Sequence, residues 1–284
     1  MNIAIFYFSG TGNTWWITEK IKSCLSENNI KTKLYSIERN DLNWDEMLPN
    51  LLKENEIIGI GFPVHGSDVP IIMKDWIQEN LVPASMNLKE EKQTFVYDTM
   101  ALFSGDTPLV MRKILKKGKF KVKQAINIRM LNNIPQIKSL NVEKEKQSEI
   151  FQKAEKKVEK FISCILENKK WVMRRDPLTR FIAGFQRFFY RREIKMFRKL
   201  FTINHSDCTL CNICIENCPI DNLSIEETEE NPKVIFGPNC VCCMRCFNIC
   251  PQNAIIVMKR SRDVEKYPRF RGQIPGFNYI KVKK

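Results

Sequence analysis

The chain has 284 residues, 27% of them charged, with a formal net charge of +14 and eleven cysteines. That length accommodates one or two cores, and no apolar run approaches the length of a membrane span. The charge falls in blocks, net +3 over 1–168, +9 over 169–204, −5 over 205–258 and +7 from Lys259 onward. An acidic unit bracketed by two basic segments follows. The segments suit an acidic partner, an anionic membrane surface or the acidic unit itself.

Asn2 to Phe8 is a continuous apolar run, as buried parallel strands are. It has no basic leader, so no secretory signal is expected. Ser9-Gly10-Thr11-Gly12-Asn13-Thr14 follows, then a helical pattern from Trp15 to about Glu27. Further strand-like runs lie at Thr32–Ile37, Glu56–Phe62, Thr94–Asp98 and Lys121–Ile128, with helical stretches between them, notably Pro70–Leu81 and Pro108–Lys117. Strands alternating with helices predict a doubly wound parallel α/β sheet, and five of them suit the flavodoxin-like order 2-1-3-4-5. Glu143–Glu167 is a charged helix with Ile150, Val158, Phe161, Ile162 and Ile165 toward one face. It completes a first domain over 1–168.

Gly10 and Gly12 allow the backbone to aim N–H groups at an anion, the next helix offers its positive end, and Ser9, Thr11 and Thr14 add hydroxyls. No lysine follows the second glycine, so this is no Walker A loop, and GTGNT does not complete GxGxxG. The segment resembles the FMN phosphate loop of flavodoxins. Two more segments fall where that family places its flavin loops: Gly61-Phe62-Pro63-Val64-His65-Gly66, and Thr99-Met100-Ala101-Leu102-Phe103-Ser104-Gly105-Asp106. The resemblance implies FMN, with Val64 or His65 on one flavin face and the second loop, through Phe103, on the other. A plain structural alternative for His65 is a loop histidine capping a helix. Neither loop carries the Trp/Tyr sandwich of many flavodoxins.

From Lys169 to Asn204, phenylalanines at 181, 185, 188, 189 and 201, with Met196 and Leu200, recur at near-helical spacing among Arg180, Arg187, Arg191, Arg192 and Arg198. Such a stripe belongs to a packing face with a solvated opposite side or to a membrane-surface helix. Nucleic acid is not expected as a partner. The block charge of the connector opposes that of the following unit, which predicts intramolecular docking.

Cys208, Cys211, Cys214, Cys218 and Pro219 form CxxCxxCxxxCP, and Cys240, Cys243, Cys246, Cys250 and Pro251 repeat it. The repeat resembles the bacterial two-cluster ferredoxin run, in which three thiolates of each run hold one [4Fe-4S] cube and the fourth holds the other. The resemblance implies one cluster on Cys208, Cys211, Cys214 and Cys250, and another on Cys240, Cys243, Cys246 and Cys218. Structural zinc and a disulfide framework are the alternatives, but zinc usually takes separated CxxC pairs with His, and only His205 is near. Cys242 fits neither register and is read as a neighbour of the second cluster or a spare ligand.

Taken whole, the chain resembles the flavodoxin–ferredoxin fusion family of anaerobic bacteria. The resemblance implies four regions: an FMN domain (1–168), a basic helical connector (169–204), a small α+β ferredoxin domain (205–258) and a basic tail (259–284). The function it implies is electron transfer between FMN, two [4Fe-4S] clusters and a redox partner protein, in a reducing cytoplasm. The alternatives are a self-contained FMN/iron–sulfur reductase acting on a small acceptor, and a flavin-free partner-recognition module. No catalytic acid, base or nucleophile stands out.

Overall fold

The computed structural model describes residues 1–173, 176–229 and 231–279. Strands β1 (Asn2–Tyr7), β2 (Lys31–Ser36), β3 (Ile57–Pro63), β4 (Lys92–Met100) and β5 (Phe120–Arg129) form a parallel sheet in the order 2-1-3-4-5. A sixth strand, β6 (Trp171–Val172), joins the β5 edge in parallel. The first domain therefore runs past residue 168 into what was expected to be connector. Trp171 is drawn there by packing on Phe161, a contact too short in sequence to leave a periodic signal.

Helices cover both faces because the central strands are apolar on both sides. On one face α1 (Asn13–Glu27) lies beside α6 (Lys144–Leu166), whose Ile150, Ala154, Val158, Phe161 and Ile165 form a buried stripe at helical spacing. On the other lie α2 (Trp44–Glu54), α3 (Ile71–Trp76), which passes through a wide turn into α4 (Val82–Ser85), and α5 (Thr107–Leu115). Sequence reading did not single out α2, which carries Pro49 inside it. Leu48, Leu51 and Leu52 hold it on the core despite that residue.

Helix α7 (Pro177–Lys199) starts where Asp176 accepts hydrogen bonds from the Thr179 amide, 2.8 Å, and hydroxyl, 2.6 Å, with Pro177 at the first position. The small C-terminal unit then begins at β7 (Phe201–Ile203), which pairs antiparallel with β10 (Ile255–Val257). Its boundary is thus nearer 200 than 205. Between them come α8 (Ile213–Glu216), the hairpin β8 (Leu223–Glu226) and β9 (Lys233–Phe236), and α9 (Arg245–Ile249).

The segment expected as a basic tail is a strap as far as Tyr279; residues 280–284 lie outside the described residues. Arg269 donates to the carbonyls of Asn253 and Ile255, each at 3.1 Å, while Phe270 and Ile274 are buried in the α1–α6 face. The strap thereby ties the C-terminal unit to the first domain.

Candidate redox centres

The two cysteine runs fold alike. Leu210, Asn212 and Asp221 have φ of 54°, 60° and 49°, and their counterparts 32 residues on, Cys242, Met244 and Asn253, have 53°, 65° and 54°. Left-handed residues at these points curl each loop around its cysteines. Cys242 is therefore the counterpart of Leu210, and its amide donates to the Cys240 sulfur at 3.4 Å.

Cys208, Cys211, Cys214 and Cys250 line one cavity; Cys218, Cys240, Cys243 and Cys246 line another. Each tetrad thus combines three cysteines of one run with the last of the other. Among the described residues no three His, Cys, Asp or Glu side chains converge on a single metal-ion position. Burial pushes the Cys214 thiol up to about 11 and the Cys243 thiol up to about 12, and iron binding there would release protons. Cys211 is exposed, whereas Cys218, Cys243 and Cys246 are buried. The second cavity is set against the first domain through Cys243.

That contact is made at the glycine loop. A Cβ on Gly10 would lie 2.7 Å from the Cys243 carbonyl oxygen. Arg245, fully buried between two cysteines of the second run, donates to the carbonyls of Gly10 at 3.0 Å, Ser9 at 2.8 Å and Asn217 at 3.0 Å, and to both carboxylate oxygens of Glu38 at 2.5 and 2.8 Å. Burial works against its charge, but Glu38 more than restores it and holds the guanidinium pKa above its ordinary value.

Within the loop, Ser9 Oγ accepts from the amides of Gly12 and Trp15 at 3.2 and 3.1 Å. Thr11 Oγ1 accepts from Asn133, and Thr14 shares a 2.8 Å hydrogen bond with Thr99. The Asn13 side chain donates to the Leu131 carbonyl at 2.8 Å. No hydrogen bond among the described residues engages the amides of Thr11, Asn13 and Thr14. Thr11 and Thr14 are buried, and unpaired amides in such a place, at a helix N-terminus, suit a phosphate monoester. The donor set fits the phosphate end of FMN.

The other two loops are brought to the same carboxyl edge and covered by the chain. The Val64 amide donates to the Thr99 carbonyl at 2.9 Å, and His65 and Asp68 close a tight turn at 3.1 and 3.0 Å. A Cβ on Gly66 would strike Tyr190, one on Gly105 Ala183, and one on Gly12 Phe277. Ser104 is buried and accepts from Asn127 at 2.7 Å, while Pro63 and Ala101 are half-buried. Phe103 points to solvent, 40% exposed; α7 and the strap, not Phe103, cover this edge.

The connector is docked by its arginines. Arg187 bonds the Ser67 carbonyl at 2.8 Å and pairs with Asp106, Arg191 bonds Asp68 at 2.6 Å, and Arg198 bonds the carbonyls of Cys240 and Pro238 at 2.7 and 2.8 Å. Of the phenylalanines expected on a packing face, Phe181, Phe185, Phe188 and Phe189 are turned outward, whereas Phe201 is buried in the C-terminal unit. The inward stripe is narrow, Ala183, Tyr190 and Ile194, because the loops beneath it offer carboxylates and carbonyls rather than an apolar groove.

This docking is acid-sensitive. Burial pushes His65 down to about 4, against the pull of Asp68; unfolded, it titrates near ~6.5. A folded pKa below the unfolded one means that the stability from keeping His65 neutral is complete above ~6.5 and is lost as pH falls toward ~4. Burial also resists ionisation of Asp68, yet Arg191 and Lys74 hold it below the usual carboxylate range, so its share goes at still lower pH. The urea midpoint is expected to fall on acidification from pH ~6.5, and His65→Gln to flatten that slope. A wild-type midpoint constant down to pH ~4 would show that desolvation does not hold the half-buried His65 neutral.

Residues 200–251 match the family model of the 4Fe-4S dicluster domain. Over 50 residues the chain is 40% identical to the archaeal-type NADPH glutamate synthase of Dehalococcoides mccartyi, a match covering 18% of this chain and 10% of that protein. The chain thus spans about one-tenth of the length of that curated relative. Among solved structures, a flavodoxin from the domain Archaea is 18% identical, with a TM-score of 0.39, over 57% of this chain and 99% of its own. Flavodoxin 2 of Bacillus cereus is 19% identical, with a TM-score of 0.40, over 59% and 99%. The strand order and the dicluster match define the class: a doubly wound parallel α/β domain of order 2-1-3-4-5 joined to a 4Fe-4S dicluster domain.

Proposed function

We propose that this protein is an electron carrier in which two [4Fe-4S] clusters, held by Cys208, Cys211, Cys214 and Cys250 and by Cys218, Cys240, Cys243 and Cys246, exchange electrons with a redox partner protein. FMN is the cofactor of its first domain, with Ser9, Thr11, Thr14 and the loop amides on the phosphate. The clusters supply one-electron transfer and the flavin one- or two-electron transfer. The observation that carries this reading is the pair of crossed cysteine tetrads, the second of which abuts Gly10.

The chain's own residues hold this geometry. Arg245 and Arg198 clamp the second cysteine loop to the first domain and to α7, and the exposed edge at Cys211 gives a partner access to the first site. The cover of α7 and the strap over the flavin loops favours a carrier over a reductase with a substrate pocket. Eight reduced thiols favour a reducing cytoplasm, and no helix among the described residues is long and apolar enough to cross a membrane.

Anaerobically purified protein is expected to contain flavin together with iron and sulfide for two cubane clusters, and to give cluster EPR signals after reduction. A colourless, zinc-containing protein would refute the reading. Thr11→Val with Thr14→Val removes two hydroxyls facing the phosphate and is expected to cut retained FMN by about tenfold or more, with iron unchanged. Unchanged flavin in that variant would take FMN out of the loop. Because Tyr190 and Phe277 lie over Gly66 and Gly12, flavin loading is expected to raise amide exchange in α7 and the strap.

A further inference from the structure

Twenty-three residues of α7 make a rod about 35 Å long at ~1.5 Å per residue. At ~100° per residue, Leu178, Phe181, Phe185, Phe188, Phe189 and Met196 fall opposite the docked stripe of Ala183, Arg187, Tyr190 and Ile194. They are 67%, 72%, 59%, 58%, 43% and 53% exposed. Two of the rings pack against each other in a tilted arrangement, Phe185 and Phe189 at 4.5 Å between centroids, and none of the six belongs to a buried cluster of the described residues. A continuous apolar stripe of this length on a water-soluble surface marks an interaction site.

The charges around the stripe are of one sign. Arg187, Arg191 and Arg198 are consumed by internal bonds, but Arg192, Lys195 and Lys199 are exposed at its C-terminal half, and Glu193 is the one acidic residue between Pro177 and Lys199. Leu102 and Phe103, 60% and 40% exposed, stand on the loop whose Gly105 packs against Ala183.

We propose that the outer face of α7 docks the protein on an anionic lipid surface, with the helix lying in the interfacial plane. An aromatic stripe beside lysines and arginines matches the two layers such a surface offers, acyl chains below and anionic headgroups above. A second copy of the chain fits less well, since each copy would bring the exposed Arg192, Lys195 and Lys199 to the same interface. The inward arginines hold the helix to the body, so lipid takes up the face without undocking it. The inference is independent of the flavin reading.

The test is flotation of the anaerobic holoprotein with vesicles of phosphatidylcholine alone or containing phosphatidylglycerol. Binding is expected only to the anionic vesicles and to fall with salt. Phe181→Ser, Phe185→Ser and Phe188→Ser together should lower partitioning by about tenfold or more, with iron content and thermal unfolding unchanged, because these side chains lie outside the buried clusters. Lys195→Glu with Lys199→Glu, which leaves the apolar stripe intact, should lower it at low salt and serves if the serine variant loses iron. No flotation of the wild type at low salt, or flotation of both variants equal to that of the wild type, would overturn the proposal. So would a dimer of the wild type in light scattering that the serine changes dissolve, since it would give the face to a second copy.

Discussion

Replacing Arg245 by Met is expected to cost about 3–5 kcal/mol, the usual penalty for stranding one partner of a buried ion pair. Glu38 and Arg245 have no exposed side-chain surface, so loss of the guanidinium leaves a buried carboxylate and three carbonyls without donors. Lys cannot replace it, since one ammonium cannot reach both Glu38 oxygens and the carbonyls of Ser9 and Gly10 with the fixed fork of an arginine. Adding Glu38→Leu to Arg245→Met should return much of the loss, because the buried charge goes with its partner. Urea unfolding of the single and double variants, with amide exchange over residues 9–14, measures both. A single variant as stable as wild type would show that the clamp is not formed in solution.

Cys218→Ala is expected to destroy the cluster site that contains Cys240, Cys243 and Cys246 and to spare the one built on Cys208, Cys211 and Cys214, so that about half the cluster iron is lost. Cys218 lies in the first run but lines the second cavity, and its sulfur accepts from the Asn222 amide at 3.2 Å. Cys250→Ala should do the converse. The damage spreads further for Cys218, because the second loop also carries Arg245 and touches Gly10: loss of its cluster should loosen the junction with the first domain, seen as faster proteolysis around residue 200. Loss of the first site by Cys218→Ala, read by iron analysis and EPR, would show that the tetrads are not crossed in the loaded protein.

Much of this molecule is legible residue by residue. The run Asn2–Phe8, the glycine loop after it and the strands alternating with helices announce a parallel sheet, since a strand buried on both faces must be apolar throughout. The cysteine spacing is legible too, because a loop that wraps three corners of a cube needs short, fixed intervals. Arg245 was not. A charged residue inside a cysteine loop carries no periodicity, and its partner Glu38 is 207 residues away. The strap was hidden likewise, since Phe270, Ile274 and Phe277 are spread thinly among arginines.

By itself the sequence determined the buried parallel strands, the anion-binding loop and the two thiol runs, because each depends on local pattern: apolar continuity, glycine conformations and ligand spacing. Only the tertiary structure decided which way α7 faces. A helix with arginines on one side and phenylalanines on the other is amphipathic in either orientation, and the choice rests with the surface beneath it. Here that surface is the carboxyl edge of a sheet, where Asp68, Asp106 and the Ser67 carbonyl need cationic donors. The arginines went inward to satisfy buried acceptors, which cost more to strand than phenylalanines cost to expose, and the aromatic face was left outside.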